Sequence, residues 1–256
     1  MSVPPSSSAP SGASGTPAPL DVLAIFAHPD DAELLAGGSL ARSVDRGARV
    51  GILDLTRGEK GTHGSAETRE REAKEAANVL GIALRRNADF ADAGIEVTDA
   101  ARRRLAAILR ELRPSVVVTH WREGRHPDHP AAARLVVEAS FLAGLKKLDC
   151  PGEAFRPRKV VHATIYHEDA PPPSFVIDVT EQVDRKLRSL ECYATQFQGA
   201  TGRGEVFPGG ERPIRDQVMA HLAYWGSRIR RPYGEPFWTR EALALDSFTA
   251  LDVPTF

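Results

Sequence analysis

Cysteine is scarce in this chain of 256 residues. Cys150 and Cys192 are its only two cysteines, and no CxxC pair occurs. A disulfide framework or a structural zinc site with thiolate ligands needs more cysteines than this, so the sequence excludes both. Low cysteine use is also typical of the reducing cytosol, and we therefore expect a cytoplasmic protein.

The chain also lacks an excess of charge and a long apolar run. Its formal net charge is −1, so no overall field attracts nucleic acid or an anionic membrane, and we expect neither as a partner. No apolar run reaches the roughly 18 residues that a membrane span requires. The expected partner is a small molecule, and a charged one would have to be held by local side chains.

Residues 1–19 are almost entirely Ser, Pro, Ala, Gly and Thr, without charge or a hydrophobic stretch. This composition is not that of a signal or transit peptide, and it offers little apolar surface to bury. We expect residues 1–19 to form a disordered tail. Residues 20–256 are predicted to form a single domain, since their number is sufficient for one sizeable core.

Apolar and amphipathic segments alternate after this tail. Strands are predicted at residues 20–27, 49–56, 83–90, 115–121, 159–166 and 174–180, and helices at 32–47, 65–80, 98–113, 130–147, 181–197 and 213–231, followed by an aromatic tail with Tyr233, Phe237 and Trp238. Repeated strand–helix units predict an α/β fold of Rossmann-like type, with a doubly wound, mostly parallel sheet and helices on both faces. In the common strand order 3-2-1-4-5, strands one and four are neighbours.

Two similar turns follow those two strands. His28-Pro29-Asp30-Asp31 comes after the first strand and His126-Pro127-Asp128-His129 after the fourth. Open α/β sheets bind their ligands just beyond the carboxyl ends of the strands, at the point where the strand order reverses. We therefore expect the two turns to face each other across one divalent metal ion.

The motifs that usually occupy this position are absent. There is no GxGxxG dinucleotide fingerprint, no GxxxxGK[ST] phosphate loop and no GxSxG nucleophile elbow, and two adjacent carboxylates would repel a pyrophosphate. A catalytic zinc takes three protein ligands and keeps one position open for water. His28, Asp31 and His129 would supply such ligands, which leaves Asp30 and His126 for acid–base work and oxyanion stabilisation.

At these residues the sequence resembles the LmbE-like, or PIG-L, de-N-acetylase family. AHPDDAE after the first strand and HPDH after the fourth are that family's paired signature, and the resemblance extends from Leu20 nearly to the end of the chain. LDLTRGEKGT, FLAGLKK, FRPRKV, SFVIDVT and YGEPFWTREAL look like the bacillithiol branch, the N-acetylglucosaminyl-malate deacetylases. AELLAGGS departs from the more usual cysteine-containing run before the double glycine.

The resemblance implies a role for each residue of the two turns. It implies that Asp30 is the general base, that His126 polarises the acetyl oxygen and that Asp128 orients His126. The implied zinc ligands are His28, Asp31 and His129.

The resemblance also implies a substrate and an assembly. Arg57 and Arg125 fall where this branch holds the malate carboxylates and the sugar. We therefore expect a zinc-dependent hydrolase that removes acetate from an N-acetylglucosamine with an anionic aglycone. The expected aglycone is malate. Relatives of this kind are commonly trimers or hexamers, so a homo-oligomer is expected.

Several alternatives stay open at this point. Either turn alone could be an ordinary helix start capped by aspartate, and Arg57 and Arg125 could form ordinary salt bridges. Two imidazoles and a carboxylate could also hold Fe²⁺, for hydrolysis or for oxygen chemistry. The substrate could be another N-acetylglucosamine conjugate, and the chain could be a metal-stabilised sugar-binding protein without turnover.

Overall fold

The computed structural model describes residues 18–164, 166, 170–197 and 213–254. Residues 1–17, most of the predicted tail, lie outside these ranges, and the tail remains a prediction. The described residues contain one seven-stranded sheet with the order β3-β2-β1-β4-β5-β7-β6. The predicted order 3-2-1-4-5 of the first five strands is therefore confirmed.

The first five strands pair in parallel with one another, whereas β7 pairs antiparallel with both β5 and β6. Their bounds are β1 Val22–Phe26, β2 Val50–Thr56, β3 Leu84–Phe90, β4 Val116–His120, β5 Lys159–Ala163, β6 Phe175–Asp178 and β7 Gly234–Trp238. All seven residues of β2 are buried, as expected for a strand covered on both faces.

Helices cover both faces of the sheet, as a doubly wound fold requires. They are α1 Asp31–Asp45, α2 Ala66–Leu80, α3 Asp99–Leu112, α4 Asp128–Ala143, α5 Val183–Glu191, α6 Ala194–Phe197 and α7 Ile214–Arg228. Ala24 and Phe26 of β1 pack with α1, α5 and α7, whereas Leu23 and Ile25 pack with α3 and α4. None of the described helices is long and apolar enough to cross a membrane.

Capping side chains set the predicted starts of two helices. The Ser65 side chain accepts from the Thr68 amide ahead of α2, and Thr98 accepts from the Ala101 amide ahead of α3. These contacts satisfy amides that have no partner within the helix. The single helix predicted for residues 181–197 is wrong in one respect, because a turn at Cys192 separates α5 from α6.

The aromatic tail predicted around Tyr233, Phe237 and Trp238 is wrong, because residues 234–238 form strand β7 inside the sheet. β7 pairs antiparallel with β5 through His162 and Trp238 and with β6 through Val176 and Pro236. Proline is normally read as evidence against an interior strand because it cannot donate to a ladder. Here the Pro236 carbonyl still accepts from the Thr164 amide and hydroxyl.

The Gly37-Gly38 pair in α1 permits close packing against a buried ion pair. Lys186 and Glu235 are fully buried, 2.6 Å apart. Lys186 also donates to the Leu34 carbonyl, while Glu235 accepts from the amides of Gly38 and Ser39. A Cβ at residue 38 would lie 2.8 Å from the Val179 Cβ and 3.1 Å from the Glu235 Oε1, so only glycine fits there without movement.

We predict that Gly38→Ala destabilises the fold by about 1–3 kcal/mol, because it overpacks this contact. Gly37→Ala is the matched control, since its Cβ would meet the Lys186 Cγ at 3.4 Å, an ordinary contact. Alanine at residue 37 should be neutral or stabilising by up to about 1 kcal/mol. Urea unfolding measures both free energies, and equal effects of the two variants would contradict the packing account.

Candidate active site

Parallel pairing of β1 with β4 brings the two His-Pro-Asp turns together. Val22 pairs with Val116 and Ala24 with Val118, so both strands end at the same edge of the sheet. The His28 ring lies 4.6 Å from the His126 ring and 5.4 Å from the His129 ring, measured between centroids. The expected convergence of the two turns is confirmed by these distances.

Asp30 has a strained backbone and does not cap the helix that follows it. Its φ of 106° lies in a region that L-residues rarely adopt. Its side chain makes no capping hydrogen bond to α1 and instead accepts from the Arg69 Nη2 at 3.1 Å. Arg69 also donates to the carbonyls of Pro29 and Gly58, which ties the first turn to the glycine-rich loop after β2. The helix-cap interpretation of this turn is therefore excluded.

Asp31 lies between two imidazoles. Its Oδ2 is 3.3 Å from the His28 Nδ1, and its Oδ1 is 3.5 Å from the His129 Nε2. Neighbouring donors around a tetrahedral zinc, each about 2.0–2.2 Å from the ion, are separated by roughly 3.4 Å. Each of these two pairs therefore has the spacing of neighbouring donors on one divalent ion.

Two further carboxylates orient His28 from its other side. The His28 Nε2 is 3.1 Å from Asp92 and 3.3 Å from Asp128. Both carboxylates are themselves fixed by backbone amides, Asp92 by that of Lys60 and Asp128 by those of Ala93 and Ile95. A proton on Nε2 leaves the Nδ1 lone pair facing Asp31, which is the arrangement of a metal-ligating histidine with carboxylate support.

Asp128 does not make the contact expected of it. Its carboxylate, predicted to orient His126, contacts His28 instead, and only its backbone amide reaches the His126 ring, donating to Nδ1 at 3.2 Å. An acceptor role for Nδ1 places the proton of neutral His126 on Nε2, where it is available to a substrate oxygen.

His120, at the end of β4, is a site residue that the sequence analysis did not identify. It is fully buried and stacks on the His129 ring at 4.1 Å. Its Nε2 lies 3.3 Å from Asp31 but accepts from the Ala27 amide at 2.9 Å. Because this amide occupies the Nε2 lone pair, we assign His120 to the support of Asp31 and His129.

At Asp31 and His129 the electrostatics favour the protonation states that a metal site needs. Burial opposes ionisation of Asp31, but the neighbouring His129 and His120 hold its pKa well below the usual range. Burial and the neighbouring His120 lower the pKa of His129, which keeps that ring neutral. Burial raises the pKa of Asp30 to about 7, with Arg69 acting in the opposite direction. A carboxyl group whose pKa lies near the working pH can both take and return a proton.

The residues present therefore fit a divalent metal. Within each of three groups of side chains the ligand atoms lie within 4.8 Å of one another, and each group contains His28 or His129. The predicted ligands are divided between these groups, with His28 and His129 in one and Asp31 and His129 in another. The groups are His28, His126 and His129; Asp31, His120 and His129; and His28, Asp92 and Asp128. Although burial favours a neutral ring, the carboxylates of Asp128, Asp31 and Asp92 raise the pKa of His28. That raised pKa reflects negative surroundings, which would also attract a cation.

A buried polar network holds the first turn of α1 in place. Arg85 forms a two-pronged contact with Asp54 at 2.8 and 2.9 Å and also donates to Glu33. Tyr193 is fully buried and donates to the same Glu33 oxygen at 3.1 Å. Glu33 lies one turn after Asp30, so this network fixes the start of α1 from beneath.

The two arginines predicted to bind substrate lie on the loops of the same edge. Arg57 directly follows β2 and is half-exposed, with its Nε 2.6 Å from the Asp89 Oδ1. Arg125 is exposed and directly precedes His126. The salt-bridge interpretation therefore describes Arg57 in this structure.

Known proteins match this chain in sequence. The family model described as PIG-L, GlcNAc-PI de-N-acetylase, matches residues 23–140. A probable N-acetyl-α-D-glucosaminyl L-malate deacetylase 2 of Bacillus anthracis is 32% identical over 232 residues, covering 85% of this chain and 93% of that protein. A diacetylchitobiose deacetylase of Thermococcus kodakarensis is 31% identical over 189 residues, covering 69% of this chain and 70% of that protein.

A solved structure shares the fold. The crystal structure of a conserved protein from Thermus thermophilus is 39% identical in sequence, with a TM-score of 0.79. The match covers 90% of this chain and 98% of that one. This similarity supports the predicted α/β architecture.

We predict that Asp92→Asn weakens zinc binding by roughly 10–100-fold, because it removes a charged partner of His28. The amide oxygen of asparagine can still accept from the Lys60 amide, so the loop should persist. Asp89→Asn is the control, since Asp89 is half-exposed and pairs with Arg57. Competition with a chelator measures the affinities, and unchanged zinc affinity in Asp92→Asn would contradict the role assigned to Asp92.

Proposed function

Because the chain belongs to the PIG-L family of de-N-acetylases, we propose that it is a zinc-dependent hydrolase that removes the acetyl group from N-acetylglucosamine conjugates. One observation carries this proposal: Asp31 lies between His28 and His129, while Asp30 points away to Arg69 with a pKa raised by burial to about 7. The turn thus separates a ligand carboxylate from an adjacent acid–base carboxylate.

His28, Asp31 and His129 would hold the metal. When bound, zinc lowers the pKa of a coordinated water and polarises a carbonyl. Asp30 accepts the proton of the attacking water and returns it to the departing amine, and Arg69 holds the Asp30 carboxylate in position. His126 donates a hydrogen bond from its Nε2–H to the acetyl oxygen as negative charge develops there. Burial lowers the pKa of His126, so the ring acts as a neutral donor.

We predict that Asp30→Asn lowers the rate of acetate release by about 10²–10⁴-fold while the zinc content stays near one per chain. Asparagine keeps the shape of the side chain but cannot take the proton. Asp45→Asn at the other end of α1 is the matched control, since Asp45 pairs with Arg185 at the surface. Retained turnover in Asp30→Asn would remove Asp30 from the mechanism.

For the substrate, we propose N-acetylglucosaminyl L-malate, as in bacillithiol biosynthesis. The malate deacetylase of B. anthracis, similar over most of both chains, supports this choice. So do Arg57 and Arg125, which lie on loops that leave the same edge of the sheet as the metal-ligand turns. A de-N-acetylase of another conjugate, such as the diacetylchitobiose of the T. kodakarensis relative, is the competing proposal.

A direct comparison of the two substrates separates these proposals. We expect kcat/KM to be at least about tenfold higher for N-acetylglucosaminyl L-malate than for diacetylchitobiose, because a charged hydrogen bond contributes roughly 1.5–3 kcal/mol. Arg125→Ala should reduce this preference, whereas Arg134→Ala on the exposed side of α4 should not. Equal or better hydrolysis of diacetylchitobiose would overturn the malate assignment.

The same measurement tests the non-catalytic alternative, since a sugar-binding protein would release no acetate from either substrate. Fe²⁺ in place of zinc is compatible with the same ligands, and metal analysis after anaerobic purification distinguishes the two. An iron site for oxygen chemistry would consume oxygen, which an oxygen-uptake assay detects.

We also propose a cytoplasmic homo-oligomer, a trimer or hexamer. Large apolar side chains are exposed on α4 and near the carboxyl end, including Phe141 and Phe248, the latter 93% exposed. Exposed apolar surface of this kind is typical of contacts between subunits.

A further inference from the structure

A cation–π cluster of Trp121, Arg122 and Trp238 lies at the loop between β4 and the second metal-ligand turn. The Arg122 guanidinium lies 4.8 Å from the Trp121 ring and 4.6 Å from the Trp238 ring. Trp121 follows directly after β4, and Trp238 ends β7. The two rings meet edge to face, 5.4 Å apart between centroids, and both contact the same guanidinium. Two separate parts of the chain therefore contribute an aromatic ring to one cation.

This cluster packs against a histidine that contacts the end of β4. Trp121 is 3% exposed, and the two indoles lie 5.9 and 5.8 Å from the His162 ring, which in turn contacts the His120 carbonyl at 2.6 Å. Arg122 is four residues from His126, so their Cα atoms are at most about 14 Å apart. Arg122 therefore lies on the short loop that leads directly into the second turn.

Arg122 is exposed and has no anionic partner among the described residues. No carboxylate there forms an ion pair with it, and no acceptor takes one of its N–H groups, in contrast to Arg57 with its Asp89 partner. The buried Nε1 of Trp121 likewise lacks an acceptor within the described ranges. Cation–π contacts do not use the N–H donors of a guanidinium for hydrogen bonds, and those donors match a carboxylate.

From this arrangement we infer that Arg122 is a specificity-determining residue that binds a carboxylate of the substrate's aglycone. The inference rests on the proposed function, which it makes more specific. Because Asp89 already neutralises Arg57, the preformed and unpaired Arg122 is the stronger receptor for a carboxylate. Cation–π contacts hold it in one orientation and so reduce the entropy lost on binding.

The test compares Arg122→Gln with Arg156→Gln on two substrates. Arg156 is a matched control because it also lies over an aromatic ring, that of Phe141, at 4.5 Å, but contacts α4 rather than the loop after β4. For N-acetylglucosaminyl L-malate, Arg122→Gln should raise KM about 10–100-fold with little change in kcat. For uncharged diacetylchitobiose it should change neither constant, and Arg122→Lys should restore only part of the malate preference.

If the cluster of Trp121, Arg122 and Trp238 has a purely structural role, Arg122→Gln should not distinguish the two substrates. Equal KM increases for both substrates, or no increase for either, would overturn the inference. Direct binding provides a readout that does not depend on turnover: L-malate should alter the tryptophan fluorescence of the wild type and not that of Arg122→Gln. If the wild type releases acetate from neither substrate, the proposed function fails, and this titration then decides whether Arg122 binds carboxylates.

Discussion

The parallel pairing of β1 with β4 is the constraint on which the rest of the site depends. It places two turns, 98 residues apart from His28 to His126, at one edge of the sheet. Neither turn alone contains enough ligands for a catalytic metal with an open position, since the first offers His28 and Asp31 and the second His129. The candidate metal site therefore depends on the strand order and not on either motif alone.

Many of the buried polar groups around these turns have a hydrogen-bond or ion-pair partner. Asp92 and Asp128 accept backbone amides and hold His28, while Arg69 holds Asp30. Beneath them, Glu33 shares one oxygen between Arg85 and Tyr193. An unpaired charge at such depth would be strongly destabilising, so this support both stabilises the fold and fixes the geometry of the site. The strained backbone of Asp30 is a local cost that the network offsets.

Much of this arrangement was predictable from the sequence, because the signals are local. Apolar runs identify the buried strands, Ser65 and Thr98 mark helix starts, and the common strand order places the two turns together. Strand β7 was not predictable in the same way, because Pro236 argues against an interior strand and the strands that pair with β7 lie far away in sequence. The break after α5 was missed because residues 181–197 keep an amphipathic pattern across it.

The supporting residues of the site could not be identified from motifs. Asp92, His120 and Arg69 lie in three different segments, and their contacts with the turns arise only from packing. His120 had one usable signal, because it is the last residue of a strand that leads into the second turn. The contact of the Asp128 carboxylate with His28 rather than His126 depends on side-chain direction, which residue spacing does not determine.

Anomalous diffraction at the zinc absorption edge, from crystals grown with zinc, tests the shared-ion account most directly. We expect one strong peak per chain within about 2.3 Å of the His28 Nδ1, an Asp31 carboxylate oxygen and the His129 Nε2. The absence of a peak between the two turns, or a peak coordinated by only one of them, would contradict it.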